Sequence, residues 1–193
     1  AVYKPADLPD SAPGLPRQVA IAPVFPVFLD LPLLTGEEVA HAPYIAVTAT
    51  PWPGAVSVYS SAEDDAYRLT DTVRSRAIIG ETESPLGAAA PSVWDRGPPL
   101  LVRIAGGNLQ SVSPTQLFNG ANAAAIGDGS EDNWEIIQFA EAELVGPGLY
   151  AVSMRLRGQA GTEVVMPPVW PEGSHFIVLN HGLKQLALPE SAR

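Results

Sequence analysis

The side chains that could do chemistry in this chain are few, and their spacing is restrictive. His41, His175 and His181 are its only side chains that titrate near neutrality. A zinc site needs three or four His, Cys or carboxylate ligands converging. The sequence has no HExxH, no paired-His spacing and no cysteine, so the histidines read as isolated loop or strand-end residues and no metal is assigned. Asp128, Ser130 and Asp132 carry the one-three-five spacing of a calcium loop. The pattern then fails, because Asn133 stands where the sharp-turn glycine belongs and Phe139 where the bidentate glutamate belongs. A solvated acidic turn is the reading there, as at Glu63-Asp64-Asp65.

Paired carboxylates for glycosidic hydrolysis could come from Asp95, Glu135, Glu141 or Glu143. Glu141 and Glu143 are spaced by two, share one strand face and mark its wet side. Neither GxSxG nor SxxK occurs, and Ser174-His175 has no partner acid in a recognisable arrangement. Gly106-Gly107 is followed by a β-like run, LQSVS, instead of a helix N-terminus, so it reads as a hairpin turn and not as a phosphate cradle. No catalytic residue and no cofactor is assigned, and enzymatic activity is not expected.

What remains are side chains suited to contact. Trp52 lies between Pro51 and Pro53, and Trp170 between Pro168 and Pro171; on such turns an indole either caps a sheet or faces a partner. In Trp94-Asp95-Arg96-Gly97 the reading is a packed Trp94 beside a local Asp95–Arg96 pair. Arg155 and Arg157 fall on the polar face of a strand, where they are solvated, salt-bridged or in contact with a partner. Phe25 and Phe28, with Val24 and Val27, form an apolar patch on a strand blunted by Pro23 and Pro26. Trp52, Trp170, Phe25, Phe28, Arg155 and Arg157 are therefore the candidate interface residues.

The elements that must position these residues are mostly strands. Val19 to Asp30 is apolar but twice interrupted by proline, which confines it to an edge or a bulge. Tyr44–Thr50 and Ala55–Ser61 flank Pro51-Trp52-Pro53-Gly54, which predicts a hairpin. Ala66–Thr72 and Leu100–Ala105 are further strands, separated by an irregular Ser84–Pro99, the longest loop. Ser113-Pro114-Thr115-Gln116 supplies an N-cap, a first-turn proline and a capping-box glutamine, with Gly120 to end a helix of about two turns. Trp134–Phe139 is β-rich and Gly146-Pro147-Gly148 is a turn. Beyond it Tyr150, Val152, Met154 and Leu156 alternate with Ala151, Ser153, Arg155 and Arg157, one dry face and one wet. His175–Asn180 and Leu183–Leu188 form a last pair across His181-Gly182, where the glycine can take a positive φ. Val102, Ile104, Ile136, Tyr150, Val152, Met154 and Leu156 are the expected core.

Composition agrees with that architecture. In 193 residues there are 20 Pro and 17 Gly, too much punctuation for a helical protein and suited to short strands joined by turns. A chain of this length buries roughly 70 % of its unfolded surface, enough for a proper core. The formal charge of −10, with 11 basic residues against 21 acidic ones, repels phosphate backbones and anionic headgroups, so nucleic-acid binding is not expected. No apolar run approaches the length of a membrane span, and no signal-peptide pattern opens the chain. The proline-rich start, Pro5, Pro9, Pro13 and Pro16, reads as an interdomain linker over residues 1–18 of a larger parent polypeptide. Residues 19–193 read as one all-β domain with a sub-boundary near 106–113.

The stretch from Trp134 to Glu163, WEIIQFAEAELVGPGLYAVSMRLRGQAGTE, resembles a segment of the tail proteins of phages and of gene transfer agents, the tail-tip or baseplate-hub proteins often labelled host-specificity proteins. Four further phrases look like the same family in the same order: LDLPLLTGEEVAHAPYIAV (Leu29–Val47), PWPGAVSVY (Pro51–Tyr59), WDRG with LLVRIAGGNLQSVS (Trp94–Gly97 and Leu100–Ser113), and LFNGANAAAIG (Leu117–Gly127). The resemblance covers about Val19 to Leu186 and implies a mainly β hub domain, a barrel or sandwich of antiparallel hairpins with one short helix. Its implied role is structural, in a tail tip assembled in the bacterial cytoplasm. The implied partners are other tail or baseplate proteins and, in the full-length context, copies of itself in a trimer, with a cell-surface glycan as a further candidate. The alternative reading is a carbohydrate-binding β-sandwich in which Trp52 and Trp170 would stack on sugar rings.

Overall fold

Local sequence and structure agree most directly at the helix. Ser113 Oγ accepts from the Gln116 backbone N–H at 3.3 Å, while Gln116 Oε1 accepts from the Ser113 backbone N–H at 2.9 Å. The capping box therefore closes on both sides, and Pro114 opens the helix where its missing N–H costs nothing. This helix, α1 (Pro114–Phe118), presses Leu117 into the core.

The computed structural model describes residues 23–188, so the expected linker at 1–18 lies outside the described residues. The strands in chain order are β1 (Phe25–Leu29), β2 (Tyr44–Thr48), β3 (Val56–Ser60), β4 (Arg68–Val73), β5 (Ile79–Thr82), β6 (Leu86–Gly87), β7 (Trp94–Asp95), β8 (Leu100–Ile104), β9 (Ala123–Gly127), β10 (Trp134–Gly146), β11 (Leu149–Gln159), β12 (Val169–Trp170), β13 (His175–Val178) and β14 (Leu183–Gln185). A 3-10 turn spans Thr162–Val165. The protein is mainly β.

Six of these strands close on themselves. Around the ring β10 pairs with β9, β9 with β13, β13 with β5, β5 with β8, β8 with β11, and β11 returns to β10, every pair antiparallel. The product is a six-stranded antiparallel barrel, which has no open edge. β7 pairs with β11 beyond the stretch that β8 occupies. The barrel interior is filled by Leu100, Val102, Ile104, Ile126, Ile137, Phe139, Tyr150, Val152 and Phe176, with Leu109 entering from the connection after β8. Because that cluster draws on strands either side of 106–113, the segment runs through one core.

A second layer covers part of the barrel wall. The three-stranded sheet β1-β2-β14 lays Val27, Leu29, Tyr44 and Ala46 on Ile79, Ala125, Trp134 and Ile177. β1 is an edge strand with Pro26 inside its ladder, as the prolines require. β3 and β4 form a separate two-stranded ribbon. Val56, Val58 and Val73 tie its base to Ile45, Val47 and Leu186, while Tyr59, Tyr67 and Leu69 are exposed.

Three expected hairpins do not form, for one reason. In a closed barrel or a covering sheet each strand has two edges, and long-range partners hold them. β2 lies between β1 and β14, so β3 pairs with β4 instead of folding back across Pro51-Trp52-Pro53-Gly54, two of whose residues lack an N–H. β13 lies between β9 and β5, so β14 crosses to β2. Gly182 at that crossing does not take the expected positive φ; it is required because a Cβ there would sit 2.7 Å from the Arg76 carbonyl oxygen. After β8, whose edges belong to β5 and β11, Gly106-Gly107 closes no hairpin. The chain instead hooks Val112 N–H to the Ala140 carbonyl at 2.8 Å. Of the expected core, Val102, Ile104, Ile136, Tyr150, Val152 and Leu156 are buried, and Met154 is only half-buried.

Candidate interaction site

β11 departs from the simple dry and wet alternation at Met154, whose φ is 50°. Tyr150 and Val152 face the core, and after the left-handed residue the inward phase passes to Arg155 and Arg157. The register agrees, because Arg155 stands directly opposite the core residue Phe139. The expectation that both arginines lie on a polar outer face is therefore corrected: they are 1 % and 0 % exposed.

Two arginines inside a barrel demand partners, and each has them. Arg157 forks onto Glu135, Nε to Oε1 at 2.7 Å and Nη2 to Oε2 at 2.8 Å, and its Nη1 donates to the Gly87 carbonyl at 2.6 Å. The Gly158 N–H reaches Glu135 Oε1 at 3.1 Å, and the Trp170 indole N–H reaches Oε2 at 2.7 Å. Glu135 thus accepts four hydrogen bonds, two per oxygen, which leaves it no acceptor site for a substrate proton. Arg155 donates from Nε to Asp95 Oδ2 at 2.9 Å and from Nη1 to the Val152 carbonyl at 2.8 Å, closing across the Met154 kink. Asp95 also lies 3.6 Å from Arg157 Nη1, so it bridges the two guanidinium groups. Burial pushes the Asp95 carboxyl up, but the Gly97 N–H bond and the charges of Arg155 and Arg157 together outweigh it, and the carboxyl is held below its ordinary value. The expected Asp95–Arg96 pair is replaced by this one.

The remaining candidates divide by exposure. Trp170 is 2 % exposed with its N–H spent on Glu135, so it has no face for a partner or a sugar. Trp52 is half-buried against the cluster of Ile45, Val47 and Val73, which is sheet capping. Trp94 is half-buried with its ring 5.9 Å from that of Phe118. Phe25 and Phe28 are 49 % and 43 % exposed, and Val24 is exposed beside them, but Val27 turns inward and leaves the expected patch. The Asp128 turn is closed on itself: its carboxylate accepts from Ser130 N–H at 2.9 Å, Ser130 Oγ at 2.6 Å and Asn133 Nδ2 at 2.6 Å. Glu141 accepts from Ser153 Oγ at 2.7 Å on the wet side of the β10–β11 pair. Among the described residues no three His, Cys, Asp or Glu side chains gather as a metal site.

Phe25 also walls a cleft of about 600 Å³ that lies over the barrel strands β5 and β8 next to the covering sheet. Its floor is Ile79 and Ala105, and its polar rim is Glu81, Glu83, Arg103, Glu172 and His175. One cross-strand row supplies much of that rim: His175 stands opposite Glu81, and Glu81 opposite Arg103. Arg103 is committed to Glu83 through both Nε and Nη2 and to the Pro147 carbonyl at 2.8 Å. The His175 ring sits 6.4 Å from both Phe25 and Trp134, and its Nδ1 is buried without a hydrogen-bond partner. Residue reasoning from the sequence missed Glu81, Glu83, Arg103 and Glu172, because only the long-range pairing of β5 with β8 and β13 gathers them.

Residues 77–177 match the protein family described as Rcc01698-like, C-terminal. The matched span coincides with the barrel, beginning two residues before β5 and ending inside β13. The covering strand β1 and the β3–β4 ribbon lie outside it. No curated protein matches the chain.

Proposed function

Because the chain belongs to the Rcc01698-like C-terminal family, we propose that it is a structural and interaction domain of a phage-like or gene transfer agent tail tip, built into the baseplate hub. The observation that carries the reading is the coincidence of the family span with the barrel, the part of the chain that also holds three of the phrases resembling tail-hub proteins. The saturated interior is consistent with it. Every charge at Glu135, Arg157, Arg155 and Asp95 is spent on holding strands together, while exposed apolar side chains are left at Phe25 and Phe28 on β1 and at Tyr59, Tyr67 and Leu69 on the ribbon. Such exposed apolar positions beside polar surface suit contacts with neighbouring tail proteins, a role that extends to the host surface. The trimeric arrangement belongs to the same proposal and rests on the resemblance alone.

The test is mass spectrometry of purified particles from cells that encode this protein. Peptides of this chain are expected in the tail fraction, at a stoichiometry that divides by three. Their absence from intact, tailed particles would overturn the reading.

A further inference from the structure

We propose that the Phe25 cleft is the docking site for a basic segment of a partner protein, an arginine or lysine flanked by apolar residues. The inference rests on the tail-hub reading only for the existence of such a partner. The chemistry of the cleft argues for the occupant.

A concave cleft that sets a few polar groups around an apolar floor is the usual place for a ligand. This one is about 600 Å³, and Ile79 and Ala105 give it an apolar floor. Its rim is not balanced. Glu83 and Arg103 neutralise each other through a two-pronged contact. Glu81 and Glu172, both exposed, make no hydrogen bond or ion pair among the described residues. Cross-strand pairing would be expected to give Glu81 a partner, since Arg103 stands directly opposite it, but Arg103 turns to Glu83 and the Pro147 carbonyl instead. Two carboxylates are thereby left open over an apolar floor, with a half-exposed phenyl ring as one wall. A guanidinium or ammonium group fits all three: charge against Glu81 and Glu172, and the face of Phe25 for a cation–π contact. The apolar floor accepts the flanking side chains. A second copy of this chain fits poorly, because its net charge of −10 repels an acidic cleft.

The probe is a capped pentapeptide, Gly-Leu-Arg-Leu-Gly, titrated into the whole 193-residue chain and followed by tryptophan fluorescence and NMR shifts, since the Trp134 ring lies 6.4 Å from that of His175 on the cleft rim. Saturable binding that weakens with added salt is expected, with the Ala-for-Arg peptide at least ~10-fold weaker. Phe25→Ala should weaken binding by ~2- to 5-fold and the Glu81→Gln/Glu172→Gln pair by ~10-fold. The paired glutamine variant changes only exposed side chains, so a circular dichroism spectrum identical to the parent separates lost binding from lost fold. Equal affinity for the Arg and Ala peptides, or binding indifferent to the glutamine pair, would overturn the proposal. So would saturable binding of chitotriose at the cleft without binding of the Arg peptide. If the protein is present in particles and the peptide does not bind, this inference falls while the tail-hub reading stands; absence from particles would defeat that reading whatever the peptide does.

Discussion

Two sets of charged side chains border the same barrel and meet opposite fates. Inside, Glu135, Arg157, Arg155 and Asp95 match donors to acceptors so fully that Glu135 alone takes four hydrogen bonds. Outside, Glu81, Glu83, Arg103 and Glu172 use the same residue types, yet only Glu83 and Arg103 pair. The contrast teaches that residue type does not assign the role here; strand phase does. A charge turned inward must be saturated, because desolvation is costly, and becomes a strut. A charge turned outward can stay open at little cost, since water solvates it, and is free for a partner.

The sharpest way to break this comparison is to remove one inner charge. Glu135→Gln removes the charge opposite Arg157 and turns an NH2 toward two of the four donors, leaving the buried guanidinium only the distant Asp95 carboxylate as a counter-charge, so unfolding stability should fall by about 3 to 5 kcal/mol. Urea denaturation measures it. Converting Glu135 to Leu and Arg157 to Met together should recover much of that loss, because no charge is then buried alone. A loss under about 1 kcal/mol for the single variant would mean the cluster is hydrated, and the distinction between the two regions would dissolve.

The device that sets the inner phase is a smaller target. Met154 holds a φ of 50°, a conformation that costs a non-glycine residue about 1 to 2 kcal/mol and a β-branched one more. Met154→Val should therefore destabilise the fold by about 1 to 2 kcal/mol. Met154→Gly should be neutral or slightly stabilising, since its half-buried side chain gives up little contact. If both variants lowered the melting temperature equally, the Met154 side chain rather than its backbone would be what holds Arg155 and Arg157 inward.

Much of the fold was legible and the inner cluster was not, for reasons that lie in particular residues. Ser113-Pro114 and Gln116 specify α1 through local hydrogen bonds, and Pro147-Gly148 specifies the turn between β10 and β11; both signals act within a few residues. The prolines of β1 located an edge strand for the same reason. The turn signals at Trp52, Gly106 and Gly182 do not produce hairpins, because long-range pairing in the barrel and its covering sheet fills the strand edges. The inward turn of Arg155 and Arg157 is not legible in the sequence, because nothing in the residues around Met154 announces its left-handed conformation, and period-two counting fails from that point on. Trp170 lies in β12, paired with Leu86, and not on the turn that its flanking prolines suggest, and the buried carboxylate that captures its N–H lies 35 residues away.

On the outer side the comparison predicts near silence. Glu81→Gln and Glu172→Gln, alone or together, should change stability by no more than about 0.5 kcal/mol, because neither carboxylate has a partner to lose. Thermal unfolding of the double variant beside Glu135→Gln places the two regions on one scale. A loss of 2 kcal/mol or more in the outer pair would show an unseen contact and close the cleft as a free surface.

The smallest expected effect distinguishes a saturated carboxylate on the surface from one in the interior. Ser130 and Asn133 bonds hold the Asp128 carboxyl down from 3.8 to about 2. Since the folded value is depressed, its contribution is complete above pH ~4 and disappears as pH falls through ~2. Asp128 is exposed, so screening limits that contribution to under about 1 kcal/mol despite the size of the shift. Asp95 shifts in the same direction but from inside the arginine pair, and its loss on protonation strands buried charge. Asp128→Asn should thus trim stability slightly at pH 6 and match the parent near pH 2, while Asp95→Asn should lower it substantially at pH 6. Equal losses in the two variants would show that saturation alone, without burial, sets the worth of a carboxylate in this fold.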